Sequence, residues 1–380
     1  MKKKKLASKE RQKKEKFSSP SNKTTPSFTL SHRLTSFDQN TSINPLQTNP
    51  QRNPLEPKPN PSRDSYISSM IAKYSNTCKS YSHIKGASFK TEAGSLDGGK
   101  TKKQNQDSFV FEPEFGGQRD RHLFGVFDGH GKKGHLVSGF VKGNFGKILE
   151  RELGWGGGGK DWAQGNGNRR IEEGMKRAFE EVDKGLRASG IDCEFSGTTA
   201  NVVLIEDDLV YCANVGDSRA ILSENPSGSP VAYALSEDHK PEDPKEKARI
   251  EANGGRVDSL KDPQGLPYGP ARVWLKNQNL PGLAMSRSIG DYYGRKAGVI
   301  STPEITKRKL DQFSQMLVLG SDGIFEFLEN QKIVNLLAPY CKVNNPDKAS
   351  FFLSKEASRL WKKEEDVIDD ITCIIVFLNF

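Results

Sequence analysis

Residues 198–223 read TTANVVLIEDDLVYCANVGDSRAILS, and this stretch decides the fold class. It contains three apolar segments rich in β-branched residues, at 198–206, 209–216 and 219–223, joined by short polar connections. A connection this short cannot hold the helical crossover that joins parallel strands, so neighbouring strands are expected to be antiparallel. The sequence therefore predicts an α+β fold in which helices pack outside antiparallel sheet.

Further strands and helices are predicted on both sides of this stretch. The additional strand segments are residues 108–113, 122–128, 316–322 and 371–378. The helical segments are residues 136–152, 169–188, 244–253 and 347–365. Together they indicate one domain, residues 83–380, which is long enough to bury a full core.

Residues 1–82 differ in composition from the rest of the chain. Much of the net charge of +9 comes from residues 1–16, MKKKKLASKERQKKEK, and residues 45–62 are rich in proline. Apolar residues are too sparse here to offset the entropy of ordering, which predicts a disordered tail. A basic tail of this kind is expected to be solvated, or to dock on acidic partners or a membrane surface.

Several protein classes are disfavoured by what the sequence lacks. The five cysteines are scattered without a CxxC pair, which predicts reduced thiols in an intracellular protein, cytoplasmic, nuclear or both. No apolar run approaches the roughly 20 residues of a membrane span, so no transmembrane segment is expected. The lysine-rich start also lacks the apolar stretch of a secretory signal.

Two segments are interpreted as surface features. Residues 154–168, GWGGGGKDWAQGNGN, resemble a phosphate-binding P-loop only in part, because Asp161 stands where that motif requires Ser or Thr. A glycine-rich insertion is the favoured interpretation. Residues 258–282 are punctuated by Pro and Gly, which is typical of a surface flap.

Four aspartates lie at predicted strand ends, Asp107 in NQDSF, Asp128 in VFDGHG, Asp322 in LGSDG and Asp369 in DDITC. Each one alone is explained more readily as a turn or cap residue. Several carboxylates in one pocket, however, need cations, and a set of hard oxygen ligands suits Mg²⁺ or Mn²⁺. The pattern therefore favours paired cations, about 3.5–4 Å apart, that act on a phosphoryl group.

A series of motifs resembles, in order, that of the metal-dependent type 2C protein serine/threonine phosphatases. The motifs are NQDSF, FGVFDGHGKKG, SGTTA, ANVGDSRAIL, LSEDHKP, RIEANGGRV, LAMSRSIGD, LVLGSDGIFEFL and DDITCIIV, and the resemblance extends over roughly residues 86–378. The resemblance implies a four-layer α-β-β-α fold with a central antiparallel β-sandwich. It also implies that a metal-bridged hydroxide hydrolyses phosphoserine and phosphothreonine in protein substrates.

The same resemblance implies two Mg²⁺ or Mn²⁺ ions in the active site. Asp128 would bridge both ions, and Gly129 would offer its backbone carbonyl to one of them. Asp322 and Asp369 would complete the protein ligands of one ion. Asp107 would belong to the same cluster and act mainly through metal-bound water.

Four further residues receive roles from the resemblance. Asp217, in GDSR, resembles a ligand of a weaker third ion. His130, in DGHG, resembles the general acid that protonates the departing oxygen, a role that suits an imidazole because it titrates near neutrality. Many family members place a phosphate-binding arginine before the NQD segment, whereas here Lys102, or alternatively Lys103, is the nearest equivalent. A lysine lacks the bidentate fork of arginine, so weaker phosphate binding is expected.

Two other functions are weighed against this one. A phosphoprotein-binding adaptor without turnover would share the fold, but such relatives usually have eroded metal ligands, and the aspartates here are intact. A nucleic-acid-binding function rests on the basic start alone, and no basic and aromatic recognition module follows it. No obligate nucleic acid is therefore expected, and nothing in the sequence requires more than a monomer.

Overall fold

The computed structural model describes residues 83–96, 100–102, 104–155 and 167–380. The predicted tail, residues 1–82, and Lys103 lie outside the described residues, as does most of the glycine-rich insertion. The predictions made for these segments, and the domain boundaries drawn from them, stay predictions.

Two five-stranded antiparallel sheets form the centre of the fold. The first sheet contains, from edge to edge, β1 (Ile84–Glu92), β16 (Ile371–Leu378), β15 (Ser314–Gly320), β8 (Arg219–Glu224) and β9 (Val231–Ala234). The second sheet contains β14 (Glu304–Lys309), β7 (Leu209–Val215), β6 (Ala200–Glu206), β3 (Arg121–Phe127) and β2 (Ser108–Glu112). Every strand pair in both sheets is antiparallel, as the sequence predicts.

The stretch that decides the fold class supplies strands to both sheets. β6 and β7 pair with Ala200 opposite Val215, whereas β8 leaves this hairpin and joins the other sheet. The chain changes sheets at Gly216, which has a φ of +99°. A β-carbon there would stand 2.6 Å from the Cγ2 atom of Thr199, so only glycine fits this turn.

Six helices are present among the described residues. They are α1 (Gly134–Leu153), α2 (Gly167–Ala188), α3 (Pro244–Ala252), α4 (Asp322–Phe325), α5 (Asn330–Lys342) and α6 (Pro346–Glu364). Helices α1 and α2 cover the outer face of the second sheet, and α4, α5 and α6 cover that of the first. None of these helices is long and apolar enough to cross a membrane.

The core consists of three apolar layers between these elements. Phe124 of β3 points toward the facing sheet, whereas its neighbours Leu123 and Phe127 pack against the helices, because strand side chains alternate between faces. Between the sheets, the ring of Phe89 lies 4.4 Å from that of Phe109, centroid to centroid. The four-layer α-β-β-α fold is thus confirmed.

The predicted helices agree closely with α1, α2, α3 and α6, but α5 was not predicted. Its sequence, NQKIVNLLAPYCK, contains Pro339, which argues against a helix interior. Tertiary packing of buried Ile333, Val334 and Leu337 overrides this local preference. The strand β1 was missed as well, since Gly86 and two lysines obscure its alternating pattern.

Two three-stranded sheets complete the fold. One contains β10 (Gly255–Lys261), β11 (Pro267–Leu275) and β12 (Pro281–Leu283), so the predicted flap is a β-hairpin with a third short strand. The other contains β4 (Gly129–His130), β5 (Gly197–Thr198) and β13 (Ile289–Gly290). The four described cysteines, Cys193, Cys212, Cys341 and Cys373, are buried free thiols, in agreement with the expected reduced state.

A buried carboxylate on α3 anchors the segment that leads into β13. Glu246 accepts hydrogen bonds from Arg249 (2.7 Å) and Arg287 (2.7 and 3.0 Å), and a further one from the hydroxyl of Ser286. Burial alone would raise the pKa of Glu246, but the hydrogen bonds from Arg287 and Arg249 lower it below its usual range. The carboxylate therefore stays charged and fixes the start of the segment.

We expect Glu246→Ala to destabilise the protein by about 3 kcal/mol, because it leaves the partly buried guanidinium of Arg287 without its carboxylate partner. The matched control is Glu251→Ala, which removes an exposed carboxylate from the same helix and should cost well under 1 kcal/mol. Urea denaturation of both variants measures the difference. Equal midpoints for the two variants would contradict this account.

Candidate active site

Four of the predicted ligands lie at the ends of strands that meet at one edge of the sandwich. Asp107 precedes β2 and Asp128 follows β3, and these ends are adjacent because Ser108 pairs with Phe127. Asp322 follows β15 and Asp369 precedes β16, whose paired ends likewise meet. The antiparallel register thus brings the four carboxylates to the same edge, two from each sheet.

The carboxylates of the two sheets lie close enough to affect one another. The charge of Asp322 is among the causes that raise the pKa of Asp128, after burial and the charge of Asp107. Ser321 donates from its hydroxyl to the Oδ2 atom of Asp107 over 3.0 Å. Asp217, at the end of the connection between β7 and β8, interacts electrostatically with both Asp128 and Asp322. All five aspartates therefore belong to one cluster.

Close backbone packing places the turn after Asp128. A β-carbon at Gly129 would stand 2.5 Å from the carbonyl oxygens of both Gln106 and Gly134, so no side chain fits at this position. The backbone of Asp128 is held by Thr199, whose Oγ1 accepts from the Asp128 amide over 2.9 Å. The glycine that the family pattern assigns to a metal is thus required by the fold as well.

Burial raises the pKa of the inner carboxyls. The pKa of Asp107 rises to about 7, first because of burial and then because of the charges of Asp370 and Asp369. The pKa values of Asp128 and Asp322 lie well above their usual range, again from burial first and then from neighbouring carboxylates. Without a cation, this cluster binds protons strongly.

The cluster fits divalent cations by the chemistry of its donors. Buried Oδ1 atoms of Asp107, Asp217 and Asp322 have no hydrogen-bond partner, although an unsatisfied buried carboxylate oxygen is costly. All these donors are oxygen atoms, the ligands that Mg²⁺ and Mn²⁺ prefer. Within the described part of the chain, however, no three acidic, His or Cys side chains are already arranged around one point.

Two lysines hold the outer carboxylates. The ammonium of Lys102 lies 2.6 Å from Asp369 Oδ1 and 3.6 Å from Asp370 Oδ1. Burial lowers the pKa of Lys102, but the charges of the two carboxylates outweigh burial and raise the pKa above its usual value. The ammonium therefore stays charged. Lys240 forms an ion pair with Asp217 that was not predicted, although LSEDHKP stands in the motif series.

His130 forms an ion pair that the sequence reasoning missed. Its Nε2 atom lies 2.6 Å from Oδ2 of buried Asp291. Strand β5 brings the two together, since it pairs with β4, which contains His130, and with β13, which Asp291 follows. Burial lowers the pKa of His130, but the Asp291 carboxylate raises it above its usual value. The final Asp of LAMSRSIGD was the available signal.

We expect the stabilising contribution of the protonated Asp107 carboxyl in the metal-free protein to be lost as the pH rises from about 4, the usual value of an aspartate, to about 7. The inner carboxyls have higher pKa values in the folded state than in the unfolded state, so their contribution is lost as they give up protons. The loss should be roughly 1 kcal/mol per pH unit. Buried His122 and His239, whose pKa values are lowered to about 4, act in the opposite direction over this range, so the slope in EDTA has to be compared with the slope in Mn²⁺.

Urea denaturation in EDTA across this pH range measures the effect. In excess Mn²⁺ the decline should disappear, because the cations replace the protons that the carboxyls otherwise need. The same slope with and without Mn²⁺ would show that the cluster does not bind the ion.

Comparisons with known proteins agree with this geometry. A family model described as "Protein phosphatase 2C" matches residues 91–364. The chain is 36% identical over 288 residues to probable protein phosphatase 2C 35 of Arabidopsis thaliana, covering 72% of this chain and 78% of the relative. It is 37% identical over 288 residues to probable protein phosphatase 2C 72 of the same organism, covering 73% and 83%.

Solved structures show the same fold at lower identity. A serine-threonine phosphatase 2C from Toxoplasma gondii matches with a TM-score of 0.66 at 20% identity, covering 79% of this chain and 96% of that one. A C. elegans sex determining protein matches with a TM-score of 0.61 at 20% identity, covering 83% and 71%. The chain therefore belongs to the protein phosphatase 2C family, whose members are metal-dependent serine/threonine phosphatases that act on phosphoproteins.

Proposed function

We propose that this phosphatase binds two Mg²⁺ or Mn²⁺ ions at the aspartate cluster. Asp128 would serve both ions, the Gly129 carbonyl would bind one of them, and Asp322 and Asp369 would complete the protein ligands of one ion. Asp107 contributes mainly through bound water. When bound, the paired cations neutralise phosphoryl oxygens and supply a nucleophilic water near neutral pH. The observation that supports this proposal is the set of buried carboxylate oxygens without hydrogen-bond partners.

A weaker third ion is proposed at Asp217 and Asp322. Oδ1 of Asp217 is among the buried oxygens without a hydrogen-bond partner, while its Oδ2 contacts the ammonium of Lys240. A cation at this position must compete with that ammonium for the carboxylate. Weaker binding than at Asp128 follows from this competition.

His130 is proposed as the general acid, with Asp291 as the residue that positions it. The Asp291 carboxylate stabilises the charged imidazole, so the ring holds a proton at neutral pH. That proton passes to the serine or threonine oxygen as its bond to phosphorus breaks, which avoids release of an alkoxide. The hydrogen bond to Asp291 also fixes the orientation of the ring for this transfer.

Lys102 is proposed to bind the phosphate. Its ammonium lies beside Asp369, at the edge of the cluster, where an incoming phosphate oxygen can replace a carboxylate as its partner. A single ammonium offers a point charge instead of a planar fork. Lys102 therefore contributes to phosphate binding with less control of orientation than an arginine would have.

We expect Asp128→Asn and His130→Ala to separate metal binding from proton transfer. Asp128→Asn should abolish turnover of a phosphothreonine peptide and weaken Mn²⁺ binding, because it removes the charge shared by both ions. His130→Ala should slow turnover by roughly 10²–10⁴-fold and leave Mn²⁺ binding intact. Isothermal titration with Mn²⁺, together with phosphate-release assays in Mn²⁺, Mg²⁺ and EDTA, measures both effects.

The parent protein sets the reference for these assays. Phosphate release that depends on Mn²⁺ or Mg²⁺ and stops in EDTA supports the proposal. An Asp128→Asn variant that binds Mn²⁺ and turns over like the parent would overturn the site assignment. A folded parent that binds phosphopeptides without hydrolysing them would indicate an adaptor.

A further inference from the structure

An aromatic pair with no role in the site described above includes Phe195, whose backbone contacts Gly131, the residue after His130. The ring of Phe195 stacks on that of Tyr293, with centroids 4.7 Å apart and planes inclined by 29°. Phe195 is 48% exposed, whereas Tyr293 is partly buried. We call these two rings the aromatic platform.

The backbone of the platform is fixed to the groups that surround His130. The carbonyl oxygen of Phe195 lies 2.3 Å from the place where a β-carbon of Gly131 would stand. The two backbone segments are therefore in direct contact. Asp291 donates from its amide to the carbonyl of Ser196, and Tyr293 donates to that of Glu194, both over 3.0 Å. The segments that carry the two rings are thus in backbone contact with Gly131, which follows His130, and with Asp291.

Tyr293 is held in place from the side of the flap. Its hydroxyl donates to Oε1 of Gln278 over 2.8 Å, and the ammonium of Lys296 lies 4.4 Å from its ring centroid. These contacts preorganise the ring under Phe195, so little entropy is lost when a ligand contacts the platform.

We propose that the platform binds an apolar side chain of the phosphoprotein substrate, one or two positions from the phosphorylated residue. This inference rests on the proposed function, because it requires the phosphate to reach the aspartate cluster beside His130. An extended peptide advances by about 3.3 Å per residue, so side chains next to a phosphorylated residue beside His130 come within reach of the segment of Phe195, whose backbone contacts Gly131. The platform therefore contributes to substrate selection next to the chemistry.

The chemistry of the platform favours an apolar occupant. Aromatic rings offer large contact areas to aliphatic and aromatic side chains but no hydrogen bond to a charged group. The ammonium of exposed Lys296 already lies 4.4 Å from the centroid of the Tyr293 ring, which disfavours a basic side chain at the same position. Leucine or phenylalanine beside the phosphorylated residue fits these constraints.

Phosphothreonine peptides in an alanine background test the proposal, with leucine placed in turn at each of the two positions before and after the phosphothreonine. For the parent, leucine at one or more of these positions should raise kcat/KM by about two- to tenfold over the alanine peptide. The Phe195→Ala variant should lose this preference, and Phe195→Tyr should retain it. Because each ratio is taken within one variant, a general loss of activity cancels.

The matched control is Phe351→Ala, which removes an equally exposed phenylalanine, 45% exposed, from an aromatic pair with Phe352 on α6. It should keep the parent's preference. A parent without preference at any position overturns the platform, and so does a preference that persists in Phe195→Ala. A parent that hydrolyses no phosphopeptide overturns the proposed function as well, which distinguishes the two failures.

Discussion

The repulsion between carboxylates at the meeting edge of the two sheets is the constraint on which the site depends. Asp107 and Asp128 come from one sheet, and Asp322 comes from the other; all three carry raised pKa values because they are removed from water beside like charges. Burying carboxylates together is unfavourable unless protons or cations neutralise their charge. Three kinds of partner can neutralise these charges. Lysine ammoniums contact Asp369 and Asp217, and protons or divalent cations can bind the buried carboxyls whose pKa values are raised.

The surrounding structure holds these charges close together. Ser321 links the two sheets through Asp107, and Thr199 fixes the backbone at Asp128 by two hydrogen bonds. On the far side, Glu246 anchors the segment that ends at Asp291, which in turn holds the imidazole of His130. His130 and the aspartate cluster are therefore held in position by separate sets of contacts.

The sequence predicts that these aspartates lie at strand ends, because apolar segments stop beside them and most of them stand in DG or DD pairs. It does not predict the pairing of Asp291 with His130, since this contact depends on β13 and β4 both joining β5. The pairing of Lys240 with Asp217 has the same origin in tertiary structure. Local signals also failed at Pro339, where burial of the neighbouring residues decides the helix.

The thermal unfolding of the parent and Asp128→Asn, in EDTA and in excess Mn²⁺ at about pH 8, tests this account most directly. In EDTA the variant should be the more stable protein, because it removes one carboxyl from a buried cluster in which neighbouring carboxylates disfavour its ionised form. In Mn²⁺ the parent should gain about 3 kcal/mol at an ion concentration of ~100 Kd, and the variant should gain little. A variant that is less stable than the parent in EDTA and gains equally from Mn²⁺ would contradict the account.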